Sequence, residues 1–393
     1  MDIDTLLSRG VAEILPSKEG LKKLMSERKI KLYQGFDPTG AQLHIGHAVA
    51  LRKLRQFQDL GHEVIFLVGD GTGQAGDPSG KVSTRENFFT TEELRENARD
   101  YVMQAGKIVR FDGENPVKIL YNGDWLNKLS LTEILGIAEH FSVQQLLERD
   151  MFQERLKEGN SINLREFLYP LLQGFDSVAM DVDLELGGTD QTFNMLAGRT
   201  LMKAMKNKEK YVLSVPLLSD ASGRKIGKSE GNVIGLTDEP SEFYGKIMAL
   251  SDGSIVSCFE LLTDTSVDEI AEIKKAIEGG SNPIDYKKRL AFELTRQLNS
   301  ADAAKTAQTE FEKTFQDKAP DFSQVLKISK KMATVMDVIC LGLDISNSDA
   351  KRLIKQGAIE HNNTQVVDSK ATVAEGDTFR LGKKRYITVS FTK

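Results

Sequence analysis

Residues 31–68 read KLYQGFDPTGAQLHIGHAVALRKLRQFQDLGHEVIFLV, and the fold follows from that stretch. Lys31 to Phe36 is a short strand candidate, broken at Asp37-Pro38-Thr39-Gly40, where proline fixes φ and glycine permits a turn. Past Gly46, Ala48-Val49-Ala50-Leu51, Leu54 and Phe57 recur at helical spacing, and Gly61 ends the helix. Val64-Ile65-Phe66-Leu67-Val68 is then an unbroken apolar run, the mark of a strand covered on both faces. Strand, helix and strand in that order imply a parallel sheet in an α/β fold, doubly wound if the alternation continues, with any site at the carboxyl ends of its strands.

The alternation does continue, with a helix near 91–108, a strand near 117–121, helices through about 180 and a strand around Leu184. Residues 2–28 read as helical. Beyond Gly235 the pattern is helices without strands to about 320, then a linker at Lys318-Ala319-Pro320-Asp321 and a compact helix-turn-helix-then-strands pattern. Four segments are expected: an N-terminal helical segment (1–30), a Rossmann-like domain with an inserted helical segment (31–234), an α-helical domain (235–325) and a small α+β module (330–393).

The 393 residues are 40% apolar and 28% charged, ordinary for a soluble protein with a substantial core. No apolar run approaches the roughly 20 residues that span a bilayer, and the acidic start Met1-Asp2-Ile3-Asp4 is unlike a basic leader. A cytoplasmic protein without a membrane partner is expected. Cys258 and Cys340 lack the close spacing of a metal site or disulfide framework and read as buried thiols, and no protein-bound metal is expected.

A net charge of −5 speaks against a nucleic-acid partner, yet the charge is polarised along the chain. Ser346 to Lys393 carries nine Lys and Arg against five acids. A basic C-terminal module on an acidic body suits a tail held against phosphate.

Three constellations carry chemistry. His44-Ile45-Gly46-His47 opens a helix after a strand and a turn, so imidazole donors, backbone amides and the positive helix end converge as at a phosphate site, and Gly46 lets a flat base lie against the backbone. About 180 residues on, Lys225-Ile226-Gly227-Lys228-Ser229 sets two lysines in a polar loop able to neutralise charge on a leaving pyrophosphate. Tyr169, Gln173 and Asp176 sit at i, i+4 and i+7, a polar stripe on an apolar helix that must meet water, a partner or a ligand. Alone, the first describes a surface cap as readily as a phosphate site and the second more often a solvated basic loop; their order and spacing make the case.

The first two resemble the "HIGH" and "KMSKS" signatures of class I aminoacyl-tRNA synthetases, with Ile226 for Met and Gly227 for the first Ser. The third resembles the bacterial-type tyrosyl-tRNA synthetases, as do Tyr33 to Thr39, Gly73 to Lys81, Tyr121-Asn122-Gly123-Asp124-Trp125 and Gly187 to Gln191. That resemblance implies activation of L-tyrosine by ATP, accompanied by Mg2+, and transfer to tRNA(Tyr) by a homodimer. It implies His44, His47, Lys225 and Lys228 as catalytic groups. Tyr33 and Asp176 would bind the phenol, Asp77, Tyr169 and Gln173 the ammonium group, and Asp37 and Gln191 would orient the aminoacyl and ribose parts. The ATP set would be Gly35, Asp37, His44, Gly46, His47, Gly188, Asp190, Lys225, Lys228 and Ser229, with Asp190 on the ribose hydroxyls.

The last module, from Ser346 through Lys355 to Arg385, resembles a small RNA-binding fold. Ser346 or Ser348 would cap a helix whose Lys351, Arg352 and Lys355, together with Lys383, Lys384 and Arg385, face tRNA phosphates. Segment 125–160 is expected near a dimer interface and the 235–325 helices on the anticodon side.

Two synthetase alternatives share much of this pattern. Tryptophanyl-tRNA synthetases carry both signatures but have no use for a carboxylate aimed at a phenol, and a non-catalytic RNA-binding relative has no need of intact histidine and lysine pairs. Gly71-Thr72-Gly73-Gln74-Ala75-Gly76 also matches the dinucleotide GxGxxG, but Asp77-Pro78 follows where that fingerprint wants a continuing helix, and the acid would repel pyrophosphate.

Overall fold

The structure, a computed structural model, describes residues 2–40, 42–79, 88–219, 226, 233–315, 322, 324–329, 334–362, 364–366, 368–382 and 385–392. Two compact units are distinguished, Met1–Ala304 and Lys305–Lys393. The first is built on six strands: β1 (Glu13–Leu15), β2 (Lys31–Phe36), β3 (Glu63–Val68), β4 (Lys118–Tyr121), β5 (Leu184–Gly188) and β6 (Tyr211–Val215), in spatial order β1-β6-β5-β2-β3-β4. From β2 to β6 every pairing is parallel, while β1 runs antiparallel on the β6 edge. The strand order reverses between β2 and β5, and a doubly wound sheet opens its ligand crevice at such a reversal.

The central strands have the burial their composition demands. Val64 to Val68 are at most 2% exposed. Tyr33, Ile65, Leu67, Met180 and Val182 cluster together, while Phe36 stacks on Phe66 with ring centroids 4.3 Å apart. The Ile45–Asp59 helix is anchored from below by buried Lys53, whose Nζ donates to the Leu6 carbonyl at 2.8 Å and the Arg9 carbonyl at 2.7 Å. Desolvation pushes that ammonium down to about 7.

The N-terminal segment differs from the helix expected over 2–28. Helices Ile3–Leu6 and Lys18–Glu27 flank β1. Gly10, at φ +62, and Pro16 interrupt the helical pattern, and the stretch between them gains ladder bonds only from β6, some 200 residues downstream, which local periodicity cannot reveal. Beyond residue 235 the helices Pro240–Met248, Ile255–Leu262, Val267–Glu278, Pro283–Leu298 and Ala301–Phe315 follow without a strand.

The second unit contains β7 (Val325–Ser329), helices Val335–Leu343 and Asn347–Lys355, then β8 (Ile359–His361), β9 (Thr364–Gln365), β10 (Thr378–Leu381) and β11 (Arg385–Thr392), ordered β7-β11-β10-β8-β9. Its core gathers Ile328, Val338, Ile339, Ala350, Phe379, Ile387 and Val389. The parallel pairing of β7 with β11 recruits a strand ahead of the expected start at 330. The expected linker Lys318–Asp321 lies outside the described residues.

Cys258 is fully buried, and burial pushes its thiol up to about 12. Cys340 departs from the expectation: it is only half-buried, with Sγ 3.2 Å from Asn347 Oδ1. Among the described residues no helix is long and apolar enough to cross a membrane, and no cluster of His, Cys, Asp and Glu could hold a metal ion.

Candidate active site

His44 is the N-cap of the Ile45–Asp59 helix, at the carboxyl end of the sheet's central strands. Its Nδ1 accepts the Gly46 N–H at 3.1 Å, and His47 Nδ1 accepts the His44 N–H at 3.1 Å. A ring nitrogen that accepts cannot carry the proton, so each neutral imidazole is protonated on Nε2 and keeps a side-chain donor at the positive end of the helix. The ring centroids are 4.0 Å apart. A Cβ on Gly46 would stand 2.8 Å from the His44 ring, so a larger residue there would have to displace that ring.

Within the second signature only Ile226 is described; Lys225, Gly227, Lys228 and Ser229 lie outside the described residues. Ile226 is buried, its N–H donates to the Leu218 carbonyl at 2.8 Å, and its own carbonyl lies 3.6 Å from where a Gly46 Cβ would be. The chain returns beside the histidines, with the Ile45 N–H donating to the Ile234 carbonyl and the Leu236 N–H to the Leu43 carbonyl, each at 3.0 Å. Ile226, far along the sequence from the histidines, thus lies beside the N-terminus of the histidine-capped helix.

Tyr169, Gln173 and Asp176 share the Leu164–Met180 helix. Asp176 is 1% exposed; one carboxylate oxygen accepts from Trp125 Nε1 at 2.8 Å and the other from Asn122 Nδ2 at 3.0 Å. Burial pushes its pKa well above the usual carboxylate range, the two donated bonds pull against that, and the Glu185 and Asp37 charges add to the rise. Asp37 accepts from the Tyr169 hydroxyl at 2.8 Å and the Thr72 hydroxyl at 2.7 Å. Asp77 accepts from Gln191 Nε2 and from the Ser79 N–H, both at 2.9 Å. Tyr33 OH lies 2.9 Å from Ser177 Oγ, and Gln173 Nε2 donates to Glu185 at 2.9 Å.

At the end of β5, a Cβ on Gly188 would come 2.6 Å from Asp190 Oδ1, whereas one on Gly35 at the end of β2 would meet nothing within 4 Å. Bare backbone therefore faces open space on the β2 side of the reversal. In the second unit, Lys351, Arg352 and Lys355 are exposed on a helix capped by Ser346, whose Oγ accepts the Asp349 N–H at 3.2 Å. Arg352 is paired with Asp349 at 3.0 Å. Arg385 is exposed at the start of β11, and Lys383 and Lys384 lie outside the described residues.

Sequence reading gave no role to Asn122, Trp125, Ser177, Glu185 or Lys210, which hold the substrate-facing candidates in place. The one available signal was Glu185, a lone acid between Leu184 and Leu186 in a strand buried on both faces.

A mostly parallel sheet with a histidine-capped helix at its reversal point, and Ile226 of the second signature beside that helix, is the architecture of a class I aminoacyl-tRNA synthetase. The family model described as tRNA synthetases class I (W and Y) matches residues 25–316. A tyrosine–tRNA ligase of Dehalococcoides mccartyi strain CBDB1 is 43% identical over 98% of this chain and 97% of that protein, and one from Haemophilus influenzae is 41% identical over 100% and 98%. The chain belongs to this class I family and, within it, to the tyrosine–tRNA ligases. In three dimensions it is similar to a C-terminally truncated mitochondrial tyrosyl-tRNA synthetase of Coccidioides posadasii, with a TM-score of 0.63 and 24% identity over 78% of this chain and 90% of that one, a likeness of fold.

Proposed function

We propose that the chain binds L-tyrosine and ATP, with Mg2+ accompanying the nucleotide, forms tyrosyl-adenylate, and passes the tyrosyl group to the 3′-terminal ribose of tRNA(Tyr) in the cytoplasm. A carboxylate oxygen of tyrosine attacks the α-phosphorus; the new P–O bond forms as the bond to the β-phosphate oxygen breaks and pyrophosphate leaves. A ribose hydroxyl of the tRNA then attacks the tyrosyl carbonyl and releases AMP. The Nε2–H donors of His44 and His47 meet the phosphates, Lys225 and Lys228 neutralise the departing pyrophosphate, and Asp190 takes the ribose hydroxyls. Asp176 and Tyr33 receive the phenol; Asp77, Tyr169 and Gln173 take the ammonium group, and Asp37 and Gln191 orient the reacting ends. Lys351, Arg352, Lys355, Lys383, Lys384 and Arg385 contact tRNA phosphates.

The observation that supports this reading is the approach of Ile226 to the histidine-capped helix, beside which the lysines of the second signature would act. ATP–pyrophosphate exchange with tyrosine, tryptophan and phenylalanine supplied separately tests it. Tyrosine alone should support rapid exchange; a preference for tryptophan, or equal rates with phenylalanine, overturns the assignment.

The homodimer has its own support in Leu131, Leu135, Val143 and Leu156 on short helices and Leu164 at the start of the Leu164–Met180 helix, each more than half exposed. Such a collection of exposed apolar side chains marks an interface. Leu135→Glu together with Leu164→Glu should convert the protein to a monomer in light scattering after gel filtration, with an unchanged circular dichroism spectrum; a persisting dimer places the interface elsewhere.

A further inference from the structure

Behind the candidate substrate ligands lies a charged pair sealed from solvent. Lys210 is 0% exposed and Glu185 1%. Lys210 Nζ donates to Glu185 Oε2 and, at 2.8 Å, to the Met195 carbonyl. Glu185 sits on β5 directly beside Tyr33 of β2. Its Oε1 accepts from Gln173 Nε2 at 2.9 Å, and Ser177 Oγ, which lies 2.9 Å from Tyr33 OH, approaches Oε2 at 3.5 Å. Gly198 clears the space, since a Cβ there would come 2.6 Å from Lys210 Nζ and 2.7 Å from Ser177 Oγ.

A buried ion pair is weak evidence for stability, because desolvation offsets most of its attraction and apolar residues of similar volume often serve as well. Its contacts indicate a different role. An ionised carboxylate only accepts hydrogen bonds, so Gln173 can turn only its NH2 toward Glu185 and must turn its carbonyl away. That carbonyl oxygen is buried and without a hydrogen-bond partner among the described residues. A buried acceptor left unmade is costly, and a cationic donor from a ligand relieves it. Lys210 supplies the cation that faces this carboxylate where water cannot reach it, and so completes the acceptor that orients the amide.

We propose that the Lys210–Glu185 pair is a positioning device that fixes the Gln173 carbonyl toward the amino group of the substrate, so that selection for an α-ammonium is set by two residues that never touch it. This rests on the reading of Gln173 as a substrate ligand, and the test keeps the two separable. The wild-type enzyme, Glu185→Gln and the charge-free pair Glu185→Gln/Lys210→Met are assayed by ATP–pyrophosphate exchange, with 3-(4-hydroxyphenyl)propionate, which lacks the amino group, as a competitive inhibitor. In both variants the KM for tyrosine should rise about tenfold or more, the scale of one charge-assisted hydrogen bond, while the inhibition constant of the desamino analogue and the KM for ATP stay within about twofold. The double variant leaves no unpaired buried charge, so a fold lost only in the single variant does not mask the result. Equal losses for tyrosine and the analogue in the double variant, or an unchanged KM for tyrosine, overturn the inference. A wild-type enzyme whose exchange does not depend on tyrosine overturns the functional reading, and the inference with it.

Discussion

Asp176→Asn is expected to lower kcat/KM for tyrosine by about a hundredfold and to narrow the preference for tyrosine over phenylalanine by a similar factor. The substitution preserves shape but removes a charge and one acceptor. Both oxygens of Asp176 already receive protein donors, Trp125 Nε1 and Asn122 Nδ2, and a carboxylate oxygen with one such bond retains a lone pair for the phenol. An asparagine has a single oxygen, so one of those buried donors faces an NH2 group instead, at a cost of roughly 1–3 kcal/mol. The phenol loses a charge-assisted bond worth about 1.5–3 kcal/mol, whereas phenylalanine has no hydroxyl to lose and is affected least. Exchange kinetics with both amino acids measure the ratio, and an unchanged ratio would falsify the phenol assignment. The same carboxylate dictates a pH dependence. Its pKa in the free enzyme is raised, chiefly by burial, and the phenol needs the ionised form. The KM for tyrosine should therefore climb as pH falls through a range where an ordinary aspartate is still charged, and level off above it; in Asp176→Asn that acid limb should vanish.

The central unit was legible because its strands and helix carry their own periodicity. Lys31–Phe36 forms with its expected bounds, and the run Val64–Val68 is buried on both faces as an unbroken apolar strand must be. The edge strands β1 and β7 were not legible, since each is defined by partners far along the chain, Val212 to Ser214 for one and Thr388 to Thr392 for the other. The candidate site divides the same way. His44, His47 and Asp176 could be read because their chemistry and spacing are visible locally. Asn122, Trp125, Glu185 and Lys210 act by orienting other side chains, and that function resides in contacts among the segment after β4, β5, the residue before β6 and the Leu164–Met180 helix that no local pattern encodes.

Removing residues 316–393 is expected to leave tyrosine-dependent ATP–pyrophosphate exchange within about threefold of the full chain while lowering the rate of tRNA charging by about a hundredfold or more. The described residues proposed to bind tyrosine and ATP all belong to Met1–Ala304, and the second unit has a hydrophobic core of its own, so neither depends on the other for burial of its core cluster. The position of the cut matters. Because β7 is the parallel partner of β11, a truncation at 330 would leave Val325–Ser329 as an unpaired strand, an exposed edge that invites aggregation, whereas a cut after Phe315 keeps the preceding helix whole. The expected loss is electrostatic. Exposed Lys351, Arg352, Lys355 and Arg385 lie in a net-basic C-terminal module of a chain that is acidic as a whole, and phosphate contacts release counterions, so the KM of the full chain for tRNA should rise steeply with salt and that of the truncated chain much less. Charging assays at two salt concentrations, beside exchange assays on the same preparations, decide the matter. Joint loss of both activities would make the C-terminal unit part of the catalytic fold, and undiminished charging would remove it from tRNA recognition.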